Sequence, residues 1–398
     1  MIKDNKQKIR IGFDARFYGP LGKGLGRYTK EVVDRVTAMG ENFEYVVFLS
    51  VDNYDEFIPS SSQVKKVLAD VPWYGLAEQF LMPKYIAKEK LDLMHFPHFN
   101  VPLFCPCPFV VTVHDLILTK FPTMRATTLG PFKYFLKNLA YRLVINRAVR
   151  SSKRIIAVSD FTKRDIVSQF KVKPSKVEVI YEGVADLEKA KDDYYASKLK
   201  EEDVLSDYCI LEPYLLYVGN AYPHKNLEFL LGVFKDLKHE YGNLKLVLVG
   251  KEDYFYARLK ERAQELGLWS SLPNREADWP VIFPGYVPDE QLRVLFLRAL
   301  AYVFPSRYEG FGLPPLEAMA HNCPVISSNT TCLPEILGEA AEYFDPTKEE
   351  SLRKAIERII TDQKRREELV ALGQERRLLY NWHTCAEKTF KLYLEVLK

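Results

Sequence analysis

The residues best suited to chemistry in this chain gather in Ser306-Arg-Tyr-Glu-Gly-Phe-Gly-Leu-Pro-Pro-Leu-Glu317. Gly310 and Gly312 let backbone approach a ligand closely and aim free N–H groups at it. Pro314 and Pro315 suit the first turn of a helix, so the stretch leads into a helix N-terminus, which favours an anion such as a phosphate. Ionised glutamates only accept hydrogen bonds, and Glu309 and Glu317 flank this anion site. They do not serve the anion. They suit a ligand that carries vicinal hydroxyls as well as phosphate, because one carboxylate can take two O–H donors. A nucleotide sugar has two such hydroxyl sets, on its ribose and on its sugar. On residue types alone a plainer account stays open, in which Glu317 complements the helix dipole and Glu309 is solvated.

The flanking sequence must position these groups. Ala299 to Phe304 is an apolar run of strand length that stops at Pro305. Leu316 to Ala320 are good helix formers, Asn322 and Pro324 end the helix, and Val325-Ile-Ser327 reads as a further buried strand. A strand, a glycine loop, a helix and a strand place the loop beyond the carboxyl end of a parallel strand, where open α/β sheets bind ligands. The same alternation recurs along the chain. Strands are expected at Lys8–Phe13, Glu44–Leu49, Lys65–Leu68, Leu91–His95, Phe109–Val113, Arg154–Val158 and Val177–Ile180, then at Pro213–Gly219, Leu244–Gly250 and Val281–Phe283. Helices are expected at Arg27–Met39, Phe132–Arg150, Leu227–His239, Asp253–Leu266 and Asp289–Leu297, with Lys354–Leu378 and Cys385–Lys398 closing the chain. Two alternating series imply two doubly wound α/β halves. The expected division is 1–185, an acidic linker at 186–211 that includes Glu188, Asp192 and Asp193, and 212–380.

The pattern EGFGLPPLEAMAHNCPVISS, followed by LPEILGEAAEYFDP, resembles the carboxyl-terminal domain of the retaining glycosyltransferases of family 4, whose fold is GT-B. Matching stretches run from the start to the end of the chain. The resemblance implies two Rossmann-like domains facing each other across a cleft that closes on ligand, an acceptor side in the first domain, and a last helix, 385–398, that packs back on it. It places Gly310, Phe311, Gly312, Leu313 and Glu317 on the donor and Glu309 near the transferred sugar. His114, at the end of Val110-Val-Thr-Val-His-Asp115, matches a histidine near the donor sugar. Lys225, in Tyr217-Val-Gly-Asn-Ala-Tyr-Pro-His-Lys225, matches the lysine on the diphosphate, with Gly219 on the same loop. The family commonly has arginine directly after that glycine. Here the position is Asn220, and His224, Arg307 or Lys23 is left to offset the missing cation. Gly24 and Gly26 match a glycine loop, Gly22 to Gly26, on the diphosphate. Tyr286 and Val287 lie where backbone meets the base, and two readings stay open for His95 and His98, a place on the acceptor side or packing within their own loop.

The implied activity moves a hexose, best matched by mannose from GDP-mannose, to a saccharide or lipid-linked hydroxyl. It proceeds with retention and needs no metal or other cofactor. The stretches FDARFYGPLGKGLGRYT and HFPHFNVP are most similar to bacterial mannosyltransferases of surface polysaccharide. Two alternatives remain: a nucleotide-sugar epimerase or hydrolase of the same fold, and a non-catalytic nucleotide-sugar binder. A nicotinamide enzyme is weakly supported, because the first glycines are spaced Gly-x-Gly-x-Gly and Asp52 lies just past the second strand.

With 398 residues, 47% of them hydrophobic and 27% charged, the chain has the composition of a soluble two-domain protein. A formal charge of +3 does not argue for nucleic acid. From Lys120 to Lys176, however, the only acids are Asp160 and Asp165, against many Lys and Arg. The helix in this region has Leu136, Leu139, Ala140, Leu143 and Val144 on one face, with Lys133, Lys137, Arg142, Arg147 and Arg150 elsewhere. It reads as an ordinary surface helix or as a basic face for anionic lipid. The six cysteines are scattered, and Cys105-Pro-Cys107 has the wrong spacing for zinc. With no secretory signal and no apolar run of membrane-spanning length, the expected place is the cytoplasm or the inner face of the membrane.

Overall fold

The computed structural model describes residues 8–20, 23–121, 130–184, 200–270 and 279–398. The chain divides into two compact units, Met1–Gly183 with Tyr380–Lys398, and Val184–Leu379.

The first unit is built on a parallel sheet of seven strands in the order β3-β2-β1-β4-β5-β6-β7. Its strands are β1 (Ile9–Asp14), β2 (Phe43–Leu49), β3 (Val64–Leu68), β4 (Leu93–Phe96), β5 (Phe109–Val113), β6 (Arg154–Ala157) and β7 (Val177–Val179). β5, Phe-Val-Val-Thr-Val, is buried throughout, as a central parallel strand covered on both faces must be. The helix Trp382–Leu397 belongs to this unit and packs on the helix Lys23–Val36. Phe390 meets Phe43 edge-on at 5.2 Å, and Trp382 lies 6.1 Å from Tyr28.

The second unit has a parallel sheet of six strands, β10-β9-β8-β11-β12-β13. These are β8 (Tyr214–Val218), β9 (Lys245–Val249), β10 (Val281–Gly285), β11 (Ala301–Phe304), β12 (Val325–Ser328) and β13 (Glu342–Phe344). In each sheet the winding reverses beside the first strand, between β1 and β4 and between β8 and β11. A crevice opens at such a point beyond the carboxyl ends of the strands.

Four expectations change. The first helix starts at Lys23, so Gly24 and Gly26 lie in its opening turn; Gly22 falls outside the described residues. Part of the expected linker is folded: Glu201–Asp207 is a helix of the second unit, held by Arg298, which pairs with Glu201, Glu202 and Glu212. Residues 185–199, with Glu188, Asp192 and Asp193, lie outside the described residues. The long helix expected at 354–378 is two, Glu349–Thr361 and Gln363–Arg377. They are separated at Asp362, whose side chain accepts the Arg365 N–H as an N-cap.

The fourth change concerns the helix Pro131–Ser151. Its last turns supply Ile145, Ala148 and Val149 to the core, whereas Phe135, Leu136, Leu139 and Leu143 are about half exposed or more, at 64%, 48%, 47% and 56%. These four apolar side chains therefore lie on the surface. The helix's C-terminal half is tied to the Leu103 loop by Arg147 Nε on the Leu103 carbonyl, and Leu103 N–H donates to Gln79. Phe80, Leu76 and Phe104 are also well exposed. Among the described residues no helix is long and apolar enough to cross a membrane.

Candidate active site

In the second unit, the loops that follow β8 and β11 meet at the switch point. The β8 loop runs through the tight turn Pro223–Lys225 into the helix Leu227–Glu240, with Asn226 in the left-handed conformation at φ 63°. This turn aims Lys225 at the next loop, where its Nζ lies 2.6 Å from Glu309 Oε1 and 5.2 Å from the centre of the Phe304 ring. Both side chains are nearly buried, at 13% and 11% exposure. Two residues 84 positions apart are thus joined as an ion pair by the fold.

The β11 loop is fixed from below. Ser328 Oγ and Thr330 Oγ1 donate to the Ser306 carbonyl, at 2.5 and 3.3 Å. Thr331 Oγ1 accepts the Glu309 N–H at 3.2 Å, and Cys332 Sγ lies against the carbonyls of Glu309 and Phe311. Arg307 N–H donates to the His224 carbonyl at 2.8 Å, which joins the two loops directly. Gly312 caps the helix Leu313–Ala320 at φ 97°, a conformation side chains resist, and a Cβ there would meet Leu333 at 2.9 Å. Phe311 is buried, Leu313 and Glu317 are half-buried, and Gly310 has no solvent exposure to speak of.

Gly219 follows β8, and Asn220 does not extend a charge from it. The Asn220 side-chain oxygen accepts the Tyr222 N–H at 3.3 Å, and its carbonyl accepts from Tyr217 OH at 2.7 Å. His224 is enclosed, and burial, with the charge of Lys225, pushes its pKa down to about 4, so the ring is neutral. After β10, Tyr286 stands 71% exposed while the Val287 side chain is in the core.

The first unit, taken by itself, holds a second group of candidate residues. His114, at the end of β5, has both ring nitrogens engaged: Nδ1 is 2.8 Å from Glu182 Oε1, and Nε2 is 2.9 Å from the Pro97 carbonyl. Burial opposes a charged ring, but the Glu182 bond and charge and the Pro97 carbonyl outweigh it and raise the pKa. For Nε2 to hold a sugar hydroxyl, that hydroxyl must displace the Pro97 carbonyl. The sequence reading missed Glu182; its one signal was an acid directly before Gly183.

Of the two readings open for His95, the structure shows the packed one. His95 is fully buried, with Nε2 2.9 Å from Thr112 Oγ1 and Nδ1 2.5 Å from Tyr393 OH on the closing helix. It is a core histidine that fastens that helix. His98 is half-buried among Phe99, Phe17 and Tyr74, and burial lowers its pKa to about 3. Gly26 is packed, since a Cβ would fall 2.1 Å from the Gly19 carbonyl oxygen; Gly24 has open space. The loops after β1, β3 and β4 are tied by an enclosed knot in which Arg16 meets Asp14 at 2.7 Å and Glu78 at 2.5 Å, and Asn100 donates to Glu78. Such a knot is costly to bury and fixes geometry more than it stabilises.

Two Rossmann-like units in one chain, one on a seven-stranded and one on a six-stranded parallel sheet, form the GT-B fold. The comparisons agree. Residues 22–186 match the model described as Glycosyltransferase Family 4, and residues 211–376 match Glycosyl transferases group 1. The chain belongs to the glycosyltransferases that combine these two domains. It is 28% identical over 387 residues to O-antigen chain mannosyltransferase B of Escherichia coli, covering 93% of this chain and 95% of that one. To the O-antigen chain mannosyltransferase RfbU of Salmonella typhimurium it is 31% identical over 251 residues, 62% of this chain and 63% of the other. Among solved structures it resembles sucrose-phosphate synthase from Thermosynechococcus elongatus, with a TM-score of 0.73, 20% identity and coverage of 98% and 99%. It also resembles WaaG, a glycosyltransferase of lipopolysaccharide biosynthesis, with a TM-score of 0.68, 17% identity and coverage of 96% and 99%.

Proposed function

We propose that this glycosyltransferase moves mannose from GDP-mannose to a saccharide or lipid-linked hydroxyl, with retention and without a metal. The observation that carries the reading is the Lys225–Glu309 pair at the β8–β11 switch point, beside the capped helix Leu313–Ala320. Lys225, the loop N–H groups and the helix N-terminus suit a leaving diphosphate, whose charge grows as the glycosidic bond loosens. Glu309 suits the opposite charge that develops on the sugar, and Glu317 suits the ribose hydroxyls. Attack from the face the diphosphate leaves, with that phosphate taking the acceptor proton, needs no carboxylate nucleophile. Mannose is supported by the names of the relatives, which are mannosyltransferases of O-antigen chains.

The test is product analysis with GDP-mannose and UDP-glucose, each with and without an acceptor extract. An α-mannosyl product, read from the one-bond carbon–proton coupling at C1, is expected only with GDP-mannose and acceptor. A β-linked product would end the retention reading. Altered or hydrolysed donor without acceptor would favour the epimerase or hydrolase alternative.

The place of action is part of the same proposal. The helix Pro131–Ser151 exposes Phe135, Leu136, Leu139 and Leu143, and the whole helix contains Lys and Arg but no Asp or Glu. Exposed apolar side chains on a purely basic helix suit the interface of an anionic bilayer. A lipid-linked acceptor would be presented there.

A further inference from the structure

A nucleoside diphosphate brings more negative charge than Lys225 can balance. On the β8 and β11 loops the charged groups are Lys225, Arg307 and Glu309, with Glu317 in the following helix. Lys225 is already paired with Glu309, so without Arg307 this cluster would carry one net negative charge. Asn220 spends its side chain on the Tyr222 N–H, and His224 is enclosed. Neither supplies a cation.

Arg307 is placed to do so. It is the exposed residue in an otherwise buried run from Ala301 to Phe311. Its backbone is bonded to the His224 carbonyl, one residue before Lys225, and it stands two residues before Glu309. Among the described residues its guanidinium has no hydrogen-bond or ionic partner. An exposed arginine rooted between two buried, tightly bonded loops keeps its long side chain free at a fixed base. A guanidinium also presents paired N–H donors that match two phosphate oxygens, which an ammonium does not. We propose that Arg307 is the second cation for the diphosphate of the donor, in place of the residue after Gly219. This rests on the nucleotide-sugar reading above. The cation has moved from the β8 loop to the β11 loop, so phosphate contact acts on the same loop that holds Glu309.

The experiment is calorimetric titration of the full chain and of R307Q, R307K and N220R/R307Q with GDP and with GMP. R307Q should bind GDP about tenfold more weakly than the parent and GMP within about threefold, because the second phosphate is what the cation holds. R307K should keep part of the GDP affinity, and N220R/R307Q should recover at least threefold over R307Q by restoring a cation across the loop. GDP affinity of R307Q within twofold of the parent, or equal losses for GDP and GMP, would overturn the assignment. If the parent prefers uracil nucleotides, UDP and UMP are read the same way, which tests Arg307 apart from the base. A parent that binds none of these nucleotides overturns the nucleotide-sugar reading itself.

Discussion

At the scale of single residues, Glu309 and Glu317 are chemically identical yet placed differently. Glu309 is nearly buried against Lys225, and Glu317 is half-buried four residues into a helix. A carboxylate fixed beside developing positive charge favours the transition state over the ground state. Glu309→Gln keeps the shape and removes the charge, so it should lower kcat about 100-fold, roughly 2.7 kcal/mol, with donor KM little changed. Glu317→Gln should instead raise donor KM more than it lowers kcat, because hydroxyls are held equally in both states. Steady-state kinetics on both variants, with melting as a check on folding, decides this; a Glu309→Gln enzyme with parental kcat removes the catalytic role from the loop. The loops that hold both glutamates and Lys225 were legible as strand-end loops because each has a local glycine, proline or turn signature. Glu182 was not, because its meaning depends on His114, 68 positions away, and only the fold brings the two within 2.8 Å. What packs His95 was hidden for the same reason: its partner Tyr393 lies 298 positions along the chain.

At the scale of elements, periodicity located most strands and helices, and end effects were lost. The helix Leu76–Glu89 was not read because Pro83 sits inside it, and a proline inside an apolar pattern argues against a helix. In the helix Pro131–Ser151 the apolar spacing was visible, but spacing shows only that a face exists, not what covers it. The core takes Ile145, Ala148 and Val149 and leaves the leucines outside. That distinction makes a prediction. Leu139→Ser with Leu143→Ser removes two side chains that would enter the bilayer interface, each contributing on the order of 1–2 kcal/mol. Co-sedimentation with phosphatidylglycerol-containing vesicles should fall tenfold or more at both low and high salt. Lys137→Gln with Arg142→Gln should weaken binding mainly at low salt, where long-range attraction is unscreened. Activity on a soluble acceptor should persist in both pairs. Equal vesicle binding by the leucine pair and the parent would remove the membrane reading.

At the scale of the whole molecule, the two α/β halves were legible because strand and helix alternate twice. The membership of the ends was not settled by composition. An acidic stretch looks like a linker, yet Glu201 and Glu202 serve a helix held by Arg298. The histidines give the molecule a pH dependence whose sign can be worked out. Burial lowers His95 and His98 from 6.5 to about 3 and His224 to about 4. Between these values and 6.5 the unfolded chain binds protons on these rings and the folded chain does not, so stability present above 6.5 is lost as the pH falls. At about pH 5 the loss is roughly 2 kcal/mol for a ring such as His95. His114 acts in the opposite direction: its raised pKa contributes stability that is full below 6.5 and fades as the pH rises through the raised value. Three rings outweigh one, so the melting temperature should be lower at pH 5 than at pH 7. The discriminating variant is His95→Gln, which cannot titrate. It lowers stability at both pH values by losing its bonds to Thr112 and Tyr393, but the interval between the two melting temperatures should narrow. An interval equal to that of the parent would mean that His95 takes up its proton as readily in the folded protein as in the unfolded one, and that burial does not govern this ring.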